Sequence, residues 1–184
     1  MNNNHYKIQI FTTARSDFGH FKSIIASFKK IKSFNITVCA SGSHTEEKNE
    51  TLLEVQSFCQ NLGIKLKCLE FTNKIIDSTK DQLNALNISS QAVYNYIKDT
   101  SPDIVVIMGD RWELFSISIP LLLLRIPILH ISGGEITTGA IDENIRHAHT
   151  KLSNIHCVAC EEYAANVSSM GEEDWRITIT GESG

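Results

Sequence analysis

The sequence predicts an α/β protein built on a Rossmann-like, doubly wound parallel sheet, read as one domain over residues 1–184. Three observations predict it. Short β-branched runs alternate with longer helical stretches along the chain. Most of these runs are continuously apolar, as expected of strands covered on both faces. The unusual polar residues gather just past the runs, at the carboxyl ends where open parallel sheets bind ligands.

In order, the strands are predicted at Lys7–Thr12, Asn35–Ala40, Lys65–Glu70, Ile104–Met108, Ile126–Ile131, His156–Ala159 and Ile177–Thr180. Helices are predicted near Phe18–Lys30, Glu46–Leu62, Ser78–Lys98, Glu113–Leu124, Asp142–Leu152 and Glu161–Met170. Strand followed by helix, repeated, implies right-handed crossovers in a doubly wound sheet. Pro120 costs a helix interior about 3 kcal/mol, so a bend or break is expected near Ser116–Pro120. On the Asp142 helix, Ile141, Ile145, Ala148 and Leu152 make one stripe, expected to be buried. The last residues leave a strand for a small-residue turn where another element is expected, so the chain reads as half of a longer protein.

Composition bounds the function. The 184 residues are 42% hydrophobic and 21% charged, which fits an ordinary globular protein and argues against disorder. A net charge of −4 gives no field to attract a phosphate backbone, so no nucleic-acid partner is expected. Leu114–Ile131 is largely apolar, but Arg125, Pro120 and Pro127 interrupt it, so it reads as buried helix, turn and strand rather than a membrane span. Five cysteines without a secretory pattern suggest reduced thiols and a cytoplasmic setting. The Cys157-x-x-Cys160 pair beside His156 has no second ligand pair, so structural thiols are expected and no metal.

The loops carry the chemistry. After the first strand, Thr13-Ala14-Arg15-Ser16-Asp17 offers small residues that admit an anion to a helix start. Arg15 could then grip phosphate or carboxylate; the alternative is a surface arginine beside a cap made by Ser16 or Asp17. No GxGxxG occurs, so a nicotinamide dinucleotide is not indicated. Ser41-Gly42-Ser43-His44 places His44 on the same edge, either as a solvated side chain or as a functional one.

The strongest segment is Ile104–Met108 followed by Gly109-Asp110-Arg111-Trp112-Glu113. Capping accounts for Asp110, but not for Arg111 set between two carboxylates at the mouth of a parallel sheet. The next strand ends in His130-Ile131-Ser132-Gly133-Gly134-Glu135, where paired glycines permit close approach of a ligand. Carboxylates from neighbouring strand ends can serve one cleft as acid and base. On the following helix, Asp142 and Arg146, like Glu143 and His147, stand four residues apart, the spacing of surface ion pairs. Asp142 borders the same cleft.

Taken together, the GDR-x-E, GGE and DE-x-IRHA-x-TK-x-S series resembles the N-terminal domain of the hydrolysing UDP-N-acetylglucosamine 2-epimerases of sialic and legionaminic acid synthesis. The resemblance spans nearly the whole chain. It implies the N-terminal half of a GT-B-like two-domain fold, with a UDP-sugar bound between this domain and a C-terminal one, no membrane and no redox cofactor. It implies Asp110 and Asp142 as acid/base carboxylates with Glu135 in support. Arg15, Ser16, His44, Arg111, Glu113, Gly133, Gly134, Arg146 and His147 would bind the substrate. A homo-oligomer is compatible with it. Ser132 departs from the pattern, standing where hydrolysing members often carry Glu or His. That departure favours a second reading, a nucleotide-sugar binding module without turnover; half of a GT-B glycosyltransferase is a third. This chain alone is expected to show little turnover.

Overall fold

A computed structural model describes residues 5–45, 50–72 and 76–182. Among them are seven strands: Tyr6–Thr12 (β1), Phe34–Ala40 (β2), Lys65–Cys68 (β3), Ile104–Met108 (β4), Ile128–Ile131 (β5), Ile155–Val158 (β6) and Ile177–Ile179 (β7). The connecting helices are Arg15–Lys29 (α1), Glu50–Leu62 (α2), Thr79–Thr100 (α3), Phe115–Leu124 (α4), Ile141–Leu152 (α5) and Glu161–Ser169 (α6). The strands form one Rossmann-like sheet in the order β3-β2-β1-β4-β5-β6-β7, and every neighbouring pair is parallel. Each predicted strand and helix is present in the predicted order; residues 46–49, the predicted start of α2, lie outside the described residues.

The continuous apolar strands bury both faces. Ile8, Ile10, Val38, Val106 and Met108 pack against Phe18, Phe21 and Ile25 of α1 and Val55 of α2. Phe11, Val105, Ile107 and Ile128 turn the other way, onto Val93 and Ile97 of α3 and Leu114, Ile117 and Leu121 around α4. Successive side chains of β1 and β4 therefore alternate between two cores, as the two-residue period of a strand requires.

Two local expectations change. α4 runs unbroken through Pro120 instead of breaking there. Proline removes one helical hydrogen bond, but Ile117, Pro120 and Leu121 are all buried, and burial of that kind supplies most of a helix's stability in a protein. The irregularity sits earlier, in a tight 3₁₀ turn over Trp112–Leu114. On α5, Ile145 is buried and Ala148 and Leu152 are partly buried, but Ile141 is 71% exposed. It occupies the first position of the helix, too early for its side chain to lie against the sheet.

The core places one quantitative demand. Phe21 on α1 is fully buried between the helix and the sheet. Phe21→Ala should lower the free energy of unfolding by about 3–5 kcal/mol in urea denaturation; a loss under about 1 kcal/mol would contradict this packing.

Candidate active site

The chain winds outward from β1 to β2 and β3 on one side and from β4 to β7 on the other, so winding reverses between β1 and β4. A crevice opens outside the carboxyl ends of strands at such a reversal. Residues 13–17 form one wall and residues 109–113 the other.

The first wall is already occupied by its own carboxylate. Asp17 accepts the N–H groups of Thr13 and Ala14 at 2.7 and 2.9 Å, and the hydroxyls of Thr12 and Thr13 at 2.9 and 3.1 Å. These two backbone donors stand just ahead of the helix; the N–H groups of its first residues, Arg15 and Ser16, are not among the partners of Asp17. The alternative, a cap by Asp17, is the one the structure holds. Ser16 is exposed, and Arg15 extends into solvent with Glu54 3.8 Å from its Nε. Both are open to solvent.

His44 is not the solvated side chain that one of its two readings offered. Its ring is 0% exposed, sits edge-on to Phe18, and lies 3.0 Å from the Thr12 hydroxyl through Nε2. Burial lowers its pKa, and Asp17 opposes that shift. In this structure His44 cannot touch a ligand; it braces the Thr12–Asp17 turn from behind. The reason is local: Gly42, at φ +57°, folds the loop back so tightly that a Cβ there would lie 2.6 Å from the Thr13 carbonyl.

The second wall is organised by Arg146. This side chain is 6% exposed and forms an ion pair with Asp110, which is 29% exposed. It also donates to the Glu135 carbonyl at 2.8 Å and the Thr137 hydroxyl at 3.1 Å. One buried guanidinium therefore gathers the end of β4, the turn after β5 and the side of α5. The expected surface pairing of Arg146 with Asp142 does not form, and Asp110 does not cap the following turn; each has found the other instead. Arg111 pairs with Glu113, whose side chain is buried, and Trp112 packs its ring on Phe71 at 5.4 Å.

The turn after β5 fits only glycine. A Cβ on Gly134, at φ +83°, would lie 2.3 Å from the Tyr163 carbonyl of α6, while Asn166 of α6 donates to the Gly134 carbonyl at 2.8 Å. Ser132 is itself left-handed, at φ 64°. With His20, Glu135, Ala159, Tyr163 and Glu182 it lines a cavity of about 180 Å³. The Glu135 carboxylate is exposed and raises the pKa of Tyr163. Asp142 is also exposed, in the first turn of α5, without a hydrogen bond or ion pair among the described residues. Glu143 accepts from the Thr137 N–H at 2.7 Å, which leaves His147 without the predicted partner and with a buried, unpaired Nε2. A larger cavity, about 610 Å³, lies at the opposite ends of the strands among Arg125, Lys151, Asn154 and Glu172, away from these carboxylates.

Sequence reasoning missed the histidines packed behind the site. His130 and His149 are both fully buried. Burial pushes the pKa of His130 down to about 4 and that of His149 down to about 3, the latter helped by His130. For His130 the available signal was its place inside the apolar Ile126–Ile131 run, because a histidine in such a strand is bound for the core; His149, on α5, stands four residues after buried Ile145 and so shares its face.

The family model for UDP-N-acetylglucosamine 2-epimerase matches residues 26–184. The chain belongs to this family. It is 30% identical over 181 residues to the GDP/UDP-N,N'-diacetylbacillosamine 2-epimerase (hydrolyzing) of Campylobacter jejuni, covering 95% of this chain and 44% of that protein. It is 27% identical over 183 residues to the UDP-N,N'-diacetylbacillosamine 2-epimerase (hydrolyzing) of Legionella pneumophila, covering 97% and 46%. The UDP-GlcNAc 2-epimerase of Neisseria meningitidis, solved with UDP-GlcNAc bound, shares the fold with a TM-score of 0.78 at 19% identity, over 96% of this chain and 47% of that one. The chain thus spans about half the length of the relatives it matches.

Two outcomes follow from this geometry. Gly134→Ala forces a Cβ against backbone at a positive φ and should destabilise the fold by at least about 2 kcal/mol in urea denaturation; a stable variant would show that the turn does not rest on α6. The second concerns acid. His130 and His149 stay neutral in the folded chain but take up protons near pH 6.5 once unfolded, so acid favours the unfolded state. Stability should be complete above about pH 6.5. It should drain as the pH falls toward 4, by up to about 1.4 kcal/mol per pH unit for each histidine. Unfolding midpoints unchanged between pH 7 and 4.5 would contradict their burial.

Proposed function

We propose that the protein works as a hydrolysing 2-epimerase on a UDP-linked 2-acetamido sugar, N-acetylglucosamine or a diacetamido-trideoxy analogue. The supporting observation is the Asp110 carboxylate, partly exposed at the carboxyl end of β4 and held from behind by buried Arg146. Exposed Glu135 and Asp142 stand on the turn and helix tied to the same arginine.

In this reading one carboxylate of the Asp110–Asp142 pair removes the C2 proton, and the C1–O bond to UDP breaks as the C1–C2 double bond forms. Water then adds at C1 while a proton returns to C2 from the opposite face. The products are UDP and a free sugar of inverted configuration at C2. The elimination and hydration involve no net redox change, so no redox cofactor enters. Positioned carboxylates suit proton abstraction, and a departing diphosphate needs cationic or N–H neutralisation. We assign the outer contacts to Arg15, Ser16, Arg111 and His147, with Glu135 supporting the acid/base pair. Gly133 and Gly134 keep the turn close to the ligand, while His44, Glu113 and Arg146 shape the site from beneath. The relatives are about twice as long as this chain, and we place the uracil-binding wall in the remainder, as in a GT-B-like pair of domains.

Ser132 supports a second reading. A serine does not replace a carboxylate as a base near neutral pH, so a binding module without turnover also fits this position. Incubation of the full-length protein with each UDP-sugar in deuterated water separates the two. UDP release with deuterium at C2 of the free sugar is expected; binding without release would leave only the second reading. Asp110→Asn keeps one oxygen for Arg146 and should slow release by at least about 100-fold. Unchanged release would remove Asp110 from the chemistry.

A further inference from the structure

The Asp110 and Glu135 turns follow neighbouring strands, β4 and β5, and their separation is not left to the backbone alone. His130 is the penultimate residue of β5 and pairs in register with Ile107. Its Nε2 lies 2.8 Å from the Gly109 carbonyl, the residue before Asp110. A carbonyl can only accept, so Nε2 must carry the proton. In a neutral ring the lone pair then falls on Nδ1, which is buried without a partner.

That second edge faces the other turn. A Cβ at Gly133 would come within 3.1 Å of His130 Nδ1, 3.4 Å of its Cε1 and 3.2 Å of the Thr150 hydroxyl. The imidazole therefore fills the gap between the Gly109 carbonyl and the Gly133 backbone, one edge against each turn. His149 lies beneath it with ring centres 6.2 Å apart, and Phe115 stacks under His149 at 4.6 Å. This stack excludes water from the ring. The alternative tautomer, with hydrogen on Nδ1, would leave the Gly109 carbonyl facing a lone pair.

We propose that His130 is a positioning residue: as the Nε2–H tautomer, it fixes the Asp110 turn and the Glu135 turn relative to one another. The inference rests on the epimerase reading for its effect on turnover, but its structural part stands without that reading. The charged and titratable groups facing the ring are Asp110 from the turn after β4, Arg146 and His149 from α5, and His156 from β6. Among these, burial dominates and keeps the ring neutral. A misplacement near 1 Å of a reacting group costs about 100-fold in rate, so loss of this spacer should appear in kcat before it appears in binding.

The test has three arms. In the wild-type 184-residue chain, ¹⁵N NMR should show His130 protonated at Nε2 and pyridine-like at Nδ1, and neutral down to pH 5. An Nδ1–H tautomer, or a ring protonated at pH 6, overturns the proposal. In the full-length protein, His130→Leu should lower kcat by about 10–100-fold with KM within about twofold. His130→Gln, whose terminal amide can reach Gly109, should recover kcat to within about threefold of wild type. Full activity in the leucine variant, or a glutamine variant no faster than it, overturns the proposal. If His130→Leu does not fold, the tautomer and the glutamine variant decide. If the wild type turns over no UDP-sugar, the epimerase reading fails by itself. Amide exchange at Asp110–Arg111 and Gly134–Glu135 in the 184-residue chain then serves as the readout. It should accelerate at both turns in His130→Leu, and protection unchanged at both counts against His130.

Discussion

A guanidinium buried among one backbone carbonyl, one hydroxyl and one carboxylate is the constraint around which this site is built. Arg146 cannot lose its charge, and burying that charge is tolerable only when partners surround it. Asp110, the Glu135 carbonyl and the Thr137 hydroxyl are those partners. Each belongs to a segment that would otherwise be a free loop. The need to satisfy one cation therefore pulls the turn after β4, the turn after β5 and α5 into one arrangement. Asp110 gains from the same contact a fixed position at the reversal of the sheet. The carboxylate that the epimerase reading assigns to chemistry is also the one that makes the buried arginine affordable.

The opposite wall obeys a similar economy with a different result. A strand-to-helix turn presents unpaired N–H groups, and an anion satisfies them. Here Asp17 satisfies two of them, those of Thr13 and Ala14, from within. This turn holds its shape before any ligand arrives, and Arg15 and Arg111 are the side chains that bring positive charge near it. The first wall is a preformed edge.

Much of this was legible in the sequence. Ile104–Met108 is apolar throughout, and Ile128–Ile131 is apolar but for His130, because both faces of their strands are covered, and that pattern is visible without coordinates. The crowding of Gly109–Glu113 and Ser132–Glu135 after those strands located the candidate site. What could not be read was partnership across sequence distance. Asp142 and Arg146 are correctly spaced for an ion pair on a helix, and nothing local says that Arg146 faces inward toward Asp110, 36 residues away. The burial of His44 was hidden for the same reason: a Gly/Ser loop reads as exposed unless one knows that Gly42 folds it against Thr13. Asp17 was one of two equal capping candidates, and only its four hydrogen bonds separate it from Ser16.

The contact between Gly134 and α6 has a mechanical side. The turn has no clearance from the Tyr163 carbonyl and is tied to Asn166, so it cannot shift without carrying the helix. α6 leads through a short 3₁₀ turn, Asp174–Arg176, into β7 at the rim of the sheet. Trp175 stands on that turn, largely exposed, with the Arg176 guanidinium over its ring at 5.0 Å. The Gly134 turn, α6 and the Trp175 turn are thus joined in series by Asn166 at one end and by the Ser168–Asp174 hydrogen bond at the other, so the rim of the sheet and the Glu135 turn share one support.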